Sequence, residues 1–172
     1  YKHLESPIES FKYFNLFEGG ETTLCCIPFS HNGGVIYPIL MILGVKLVLM
    51  RSYQPLLLLK NLLNWKVDFL FIVPTMLIGI LNLKEIDEYL LPGLKWAAVF
   101  GAPSSPDILE KFSKVAPNAK LFSGYGLTES AAPNFLHPLD KIKLDSVGTP
   151  VPWIEVKLID EEGKEVKKGA VG

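Results

Sequence analysis

Lys95-Trp96-Ala97-Ala98-Val99-Phe100-Gly101-Ala102-Pro103-Ser104-Ser105-Pro106-Asp107-Ile108-Leu109-Glu110-Lys111-Phe112 is the stretch that decides the fold class. Every residue from Trp96 to Phe100 is apolar, the composition of a strand covered on both faces. A loop of Gly, Ala, Pro and Ser follows. Ser105-Pro106-Asp107 then supplies a capping hydroxyl, a proline at the first helical position and an acid in the first turn. Strand, loop and helix in that order form the repeating unit of a parallel α/β sheet.

The same unit recurs on both sides. Strands are expected over residues 22–28, 45–50, 69–73, 95–100 and 119–123, and helices over 34–43, 55–64, 75–81 and 106–115, with an earlier helix over 8–17. After Asp145 the pattern changes to alternation: Ile154, Val156 and Leu158 share one face and Glu155 and Lys157 the other. Asp160-Glu161-Glu162-Gly163 reads as a turn, with Lys164 to Val166 returning antiparallel. The expected fold is therefore α/β: a doubly wound, mainly parallel five-stranded sheet flanked by helices, followed by the start of a small antiparallel β subdomain. Residues 1–132 form the α/β part, 133–146 an irregular connection and 147–172 the first hairpin of the β part.

Composition limits what such a chain can be. Its 172 residues fall within the ~100 to 200 of one domain. With 49% hydrophobic and 20% charged residues it has ample surface to bury, which excludes disorder. A formal net charge of -1 without long runs of either sign argues against nucleic acid as a partner. The adjacent Cys25 and Cys26 cannot build a disulfide framework and suit a reducing cytoplasm. The most membrane-like window, 35–50, is short of the ~20 residues a span needs and is interrupted by Pro38, Gly44 and Lys46. Tyr1 stands where a Met would start a chain, and the last residues stop at a turn, so a piece of a longer protein is expected.

Chemistry is sought in the loops that follow the strands. Residues 28–34, Pro74-Thr75, Gly101-Ala102-Pro103-Ser104-Ser105 and 124–130 would all lie at the carboxyl edge of the sheet, where open α/β sheets bind ligands. Gly and Pro also simply punctuate strand ends in most such proteins. The last loop carries a usable set: Gly124 and Gly126 let backbone approach a ligand, Tyr125 offers an aromatic plane, Thr128 a hydroxyl and Glu129 a hard oxygen ligand. Tyr125 could equally be a core aromatic, and Glu129 a solvated surface acid.

The string Ser123-Gly124-Tyr125-Gly126-Leu127-Thr128-Glu129-Ser130 resembles the adenylate-forming superfamily of acyl-CoA synthetases, luciferases and peptide-synthetase adenylation domains. Gly101-Ala102-Pro103-Ser104-Ser105-Pro106, the segment 28–34 with its Pro-x-x-His-x-x-Gly pattern, and Val147-Gly148-Thr149-Pro150 through Asp160 resemble further segments of that family, in the same order and spacing. The resemblance implies an ATP-dependent acid–thiol ligase that forms an acyl-adenylate and then a thioester. Its substrates would be a fatty acid of long or medium chain, or another small carboxylic acid, together with ATP and coenzyme A, with Mg2+ as the metal. By matching position it implies a nucleotide site of Gly101, Ala102, Pro103, Ser123, Gly124, Tyr125, Gly126 and Thr128, with catalytic roles for Thr128, Glu129 and His31 and the metal on Glu129. A lone histidine at a strand end is also a common structural cap.

The chain departs from the pattern at Ser123, where the family usually carries Asn or Gln. The family's phosphate loop would precede Tyr1, and its ribose-gripping aspartate and lid would follow Gly172. These are the expected partners within its own polypeptide, and the isolated chain should bind ATP weakly and turn over little. The pairing of Gly-Leu-Thr-Glu with the 154–160 hairpin looks more like acyl-CoA or aryl-CoA ligases than peptide-synthetase modules. The competing reading is a flavodoxin-like module binding a nucleotide or flavin without ligase chemistry. A third has Phe29, Trp65, Trp96 and Trp153 form contact surfaces through which the chain self-associates. The expected location is cytoplasmic, with peripheral contact to a membrane left open.

Overall fold

A computed structural model of the chain describes residues 2–172. Strands β1 (Thr22–Cys25), β2 (Lys46–Leu49), β3 (Phe69–Ile72), β4 (Trp96–Val99) and β5 (Lys120–Ser123) pair in parallel in the order β2-β1-β3-β4-β5. Helices α2 (Asn32–Ile42), α3 (Pro55–Asn64), α4 (Pro74–Leu81) and α5 (Pro106–Val115) make the crossovers, and α1 (Lys2–Tyr13) precedes the sheet. From β1 the chain moves outward to β2, then crosses back to β3 and onward. Right-handed crossovers therefore put α2 on one face and α3, α4 and α5 on the other. The packing agrees, with α1 against α2, and α4 between α3 and α5. This is the doubly wound α/β sheet expected from the sequence.

Each strand's composition matches its place. The central strands β3 and β4 are buried at all four positions, whereas the edge strand β2 exposes Lys46 and Leu49. A charged residue on an open edge discourages further strand pairing. Period-two alternation puts Phe69 and Phe71 on one face of β3. There Phe69 stacks on Trp96 at 4.5 Å between ring centroids, with Phe17 at 4.7 Å from Phe69. Phe71 packs against Phe11, Trp96 and Phe100. A row of aromatic rings thus runs along this face of the sheet to its carboxyl edge. Trp96, expected as part of a contact surface, belongs to this core at 3% exposure; Phe29, Trp65 and Trp153 are exposed. A tryptophan at the start of a central strand has both sheet faces around it, which the local sequence does not reveal.

Three further expectations change. The first helix spans Lys2–Tyr13 rather than 8–17. It ends where Asn15 turns left-handed (φ 49°), with Leu16 N–H donating to Phe11 C=O and Asn15 N–H to Lys12 C=O at 3.1 Å each. That is a Schellman closure, with buried Leu16 against buried Phe11 as its apolar contact. Ser105 sits at the N-cap of α5, but its side chain makes no capping bond; Pro106 and Asp107 supply the start. Finally, the stretch 133–146 is not wholly irregular: β6 (Phe135–Leu136) pairs antiparallel with β7 (Thr149–Pro150). The 154–166 hairpin is reduced to a bridge between Ile159 and Glu165, closed by Asp160 Oδ1 accepting the backbone N–H groups of Glu162 and Lys164. Val156, Leu158 and Ile159 are about half exposed, since a two-stranded ribbon has no third layer to cover its apolar face.

Among the described residues no helix is long and apolar enough to cross a membrane. The apolar window 35–50 is divided between α2, a turn at Gly44 and β2.

Candidate active site

All five strands being parallel, the loops after β1, β3, β4 and β5 emerge at one edge, and two cavities lie there. The larger, about 430 Å³, is lined by Gly101, Ala102, Pro103, Ser104 and Pro106 after β4, and by Ser123, Gly124, Tyr125, Gly126 and Leu127 at and after β5. Residues 144–147 close it from the segment between β6 and β7. The smaller, about 90 Å³, lies where β1 and β3 diverge, and its lining includes His31, Gly33, Phe71, Phe100, Gly101 and Gly126. Gly101 and Gly126 line both cavities. The β1/β3 position is the point of the sheet where the strand order reverses, from which crossovers leave in opposite directions and open a crevice.

Local sequence explains the larger cavity's shape. Gly101 has φ +91°, a left-handed turn that directs the Ala102-Pro103 backbone over the sheet edge. Gly124 and Gly126 have ordinary φ values and are needed for space: a Cβ on Gly124 would strike the Phe100 ring, and one on Gly126 would strike Ala132 Cβ. The sequence reading assigned both glycines to ligand approach; the structure gives them neighbours in the protein as well. Tyr125 is 44% exposed, with its ring edge-on to Phe135 at 5.8 Å and its backbone bridged to the same residue. One part of the phenol is thus fixed while the rest faces the cavity.

Ser123 is 7% exposed, and its hydroxyl oxygen, like that of Ser104, is buried without a hydrogen-bond partner. A buried hydroxyl left in that state costs about 1–3 kcal/mol. Both residues line the larger cavity, but the oxygens themselves have almost no accessible surface, so each would meet the polar edge of a bound molecule only after a turn about its Cα–Cβ bond.

Thr128 and Glu129 do not line either cavity. They sit on the exposed 3₁₀ turn Thr128–Ser130 that immediately follows the lining residues. That turn is held by Asn134, a buried residue the sequence reading did not single out. Its Oδ1 accepts from Leu127 N–H (3.1 Å) and from the Ser130 hydroxyl (2.6 Å), and its Nδ2 donates to Ser130 C=O (3.0 Å). Ala131 closes the turn with φ 56°, a left-handed conformation that costs a non-glycine residue roughly 1–2 kcal/mol.

His31 lines the smaller cavity and also caps α2: its Nδ1 accepts the Gly33 N–H at 3.3 Å. The structural role is thus realised at a position that also faces the hollow. His137, likewise not singled out, is 2% exposed. Its Nδ1 accepts from Lys143 N–H (3.5 Å) and its Nε2 lies 3.1 Å from Ser146 C=O, which pins the wall formed by residues 144–147. With Nδ1 accepting, the ring proton is on Nε2, which donates.

The cysteines contribute no nucleophile. Burial pushes the Cys25 thiol to about 11, and burial together with the charge of Cys25 pushes Cys26 to about 12. Their sulfurs donate to Ile27 C=O and Phe71 C=O. Without a thiolate near neutral pH neither is reactive.

Known proteins share both sequence and shape with this chain. The family model described as AMP-binding enzyme matches residues 4–172. Luciferin 4-monooxygenase of Photinus pyralis is 30% identical over 93% of the chain, and the long-chain-fatty-acid–CoA ligase of Bacillus subtilis is 30% identical over 89%. The chain spans about 28% of the length of each. The solved long-chain-fatty-acid-CoA ligase of Archaeoglobus fulgidus superposes with a TM-score of 0.86 at 24% identity, over 98% of this chain and 36% of that one. With the family model covering nearly every residue, and the same doubly wound sheet recurring in a solved structure, the chain belongs to the AMP-binding enzyme family.

Proposed function

We propose that the protein carrying this chain is an ATP-dependent acid–thiol ligase. In the first step a carboxylate oxygen attacks the α-phosphorus of ATP and the bond to the β-phosphate oxygen breaks, giving an acyl-adenylate and pyrophosphate. In the second the thiol of coenzyme A gives up its proton to solvent, its sulfur attacks the acyl carbon, and AMP leaves. The observation that carries the reading is the convergence of Gly101, Ala102, Pro103, Ser123, Gly124, Tyr125 and Gly126 on one cavity, joined through Gly101 and Gly126 to an apolar one. The larger space holds the nucleotide, with adenine against the Tyr125 ring and its polar edge toward Ser123 and Ser104. The smaller takes the organic part of the acid. Its lining of Ile27, Ile36, Phe71, Val73 and Phe100 favours an aliphatic acid.

Thr128 and Glu129 follow directly on the adenine-facing residues, so the polyphosphate would extend across their turn, with the Thr128 hydroxyl toward phosphate oxygen. Among the described residues no cluster of three or more His, Cys, Asp or Glu is arranged to hold a metal ion. The exposed carboxylate of Glu129 would supply one oxygen ligand to Mg2+ whose remaining ligands are phosphate oxygens and water. Such an ion would neutralise charge on the leaving pyrophosphate. The first step requires no general base, because the attacking carboxylate is already ionised; positioning and charge stabilisation do the work there.

The test is carboxylic-acid-dependent exchange of labelled pyrophosphate into ATP by the intact protein. Glu129→Ala is expected to lower the exchange at least about a hundredfold, as loss of one charge-stabilising group does elsewhere, with the circular dichroism spectrum unchanged. Undiminished exchange would take Glu129 out of the metal role. The strand order is also that of flavin-binding modules, but family membership and the apolar second cavity favour adenylation.

A further inference from the structure

The second cavity sets a limit on the acid. At about 90 Å³ it is smaller than the roughly 150 Å³ apolar cavity that accepts one benzene molecule, and far below the roughly 300 Å³ at which pockets for larger organic ligands begin.

The size is fixed by the core and not by one movable side chain. Phe71, 2% exposed, is packed against Phe11, Phe69, Trp96 and Phe100. Phe100 lies 5.9 Å from Phe71, with its ring against the backbone of Gly124 so closely that a Cβ there would collide with it. Ile27 at the end of β1 and Ile36 on α2 line the cavity as well. To lengthen the hollow inward, a ligand would have to displace rings at the end of the aromatic row that runs along the sheet. Close-packed interiors resist such a shift.

We infer that Phe71 and Phe100 form the floor of the acyl site and restrict the enzyme to short aliphatic acids. Long-chain and aromatic acids are excluded by the same floor. The inference rests on the adenylation reading above and departs from the long or medium fatty acid that the resemblance implies.

The experiment is pyrophosphate exchange by the intact protein across straight-chain acids from acetate to hexadecanoate, with benzoate as the aromatic probe. The expected profile peaks among the short acids. It falls about tenfold or more for each added methylene once the floor is reached, and benzoate is as poor as the long acids. Phe100→Ala, at a half-buried position, is expected to move the peak to longer acids, and Phe71→Leu, which keeps a large apolar side chain, to move it less. A peak at long-chain acids, benzoate as the best substrate, or a peak unmoved by both substitutions overturns the inference while leaving adenylation standing. No exchange with any acid overturns the adenylation reading itself.

Discussion

Ser123 shows how much one side chain can carry. Its hydroxyl lies in the protein interior without a partner, so the folded state bears its desolvation while gaining nothing from it. Ser123→Ala is expected to leave the melting temperature unchanged or raised and to weaken nucleotide binding about fivefold, the worth of one hydrogen bond. Thermal melting and calorimetry together check this, and a lowered melting temperature with unaltered affinity would contradict it. Asn134 has the opposite character, because its three bonds hold the turn that presents Thr128 and Glu129. Asn134→Ala strands the Leu127 N–H and should cost about 1–3 kcal/mol in urea unfolding, whereas Asn134→Asp keeps the acceptor and should cost less. Ser123 and Tyr125 were legible in the sequence because their signal is local, a short string of distinctive residue types. Asn134 and His137 were not. Their partners lie seven and nine residues away along irregular backbone, where no period announces a contact.

At the scale of elements, β1 ends in two thiols that the surrounding layers deprive of water. Cys25, Cys26 and Tyr37 are all raised above their usual ranges, burial being the first cause in each. A thiol whose folded value exceeds its unfolded one stabilises the fold fully below the unfolded value near 9. That stability is lost as pH rises from there through about 11 to 12. The denaturant midpoint is therefore expected to be insensitive to these groups near neutrality and to fall above about pH 9, as followed by fluorescence of the tryptophans. Iodoacetamide at pH 8 should leave both cysteines unlabelled in the folded protein and label both in urea, read by mass spectrometry; rapid labelling of the folded form would mean that β1 is open to solvent. Most elements were visible in sequence through their punctuation: Pro55, Pro74 and Pro106 each stand at the first position of a helix. The start of α1 was not, since Pro7 lies inside that helix and its end is set by Asn15, a residue with no obligation to turn left-handed.

For the whole molecule, the C-terminal arm returns to the beginning: Trp153 Nε1 donates to the Ser6 hydroxyl at 3.1 Å, and Val151, 1% exposed, is held by its N–H to Asn134 C=O. The segment after β5 therefore belongs to the wall of the site and not merely to a connection. Because the chain spans about 28% of its curated relatives, a non-hydrolysable acyl-adenylate analogue is expected to bind the intact protein at least about tenfold more tightly than residues 1–172 alone. Calorimetry on both decides it, and equal affinities would place the whole binding energy within these residues. The succession of strands and helices, the sheet class and the loops at the carboxyl edge of the sheet were determined by sequence alone, because apolar runs, helix-starting prolines and compact motifs act over a few residues. Which residues face the hollow, which hydroxyls lack a partner, and how much room Phe71 and Phe100 leave in the smaller cavity were decided only when the chain was packed. Those properties depend on the distances between strands far apart in sequence, and close packing sets such distances for the molecule as a whole.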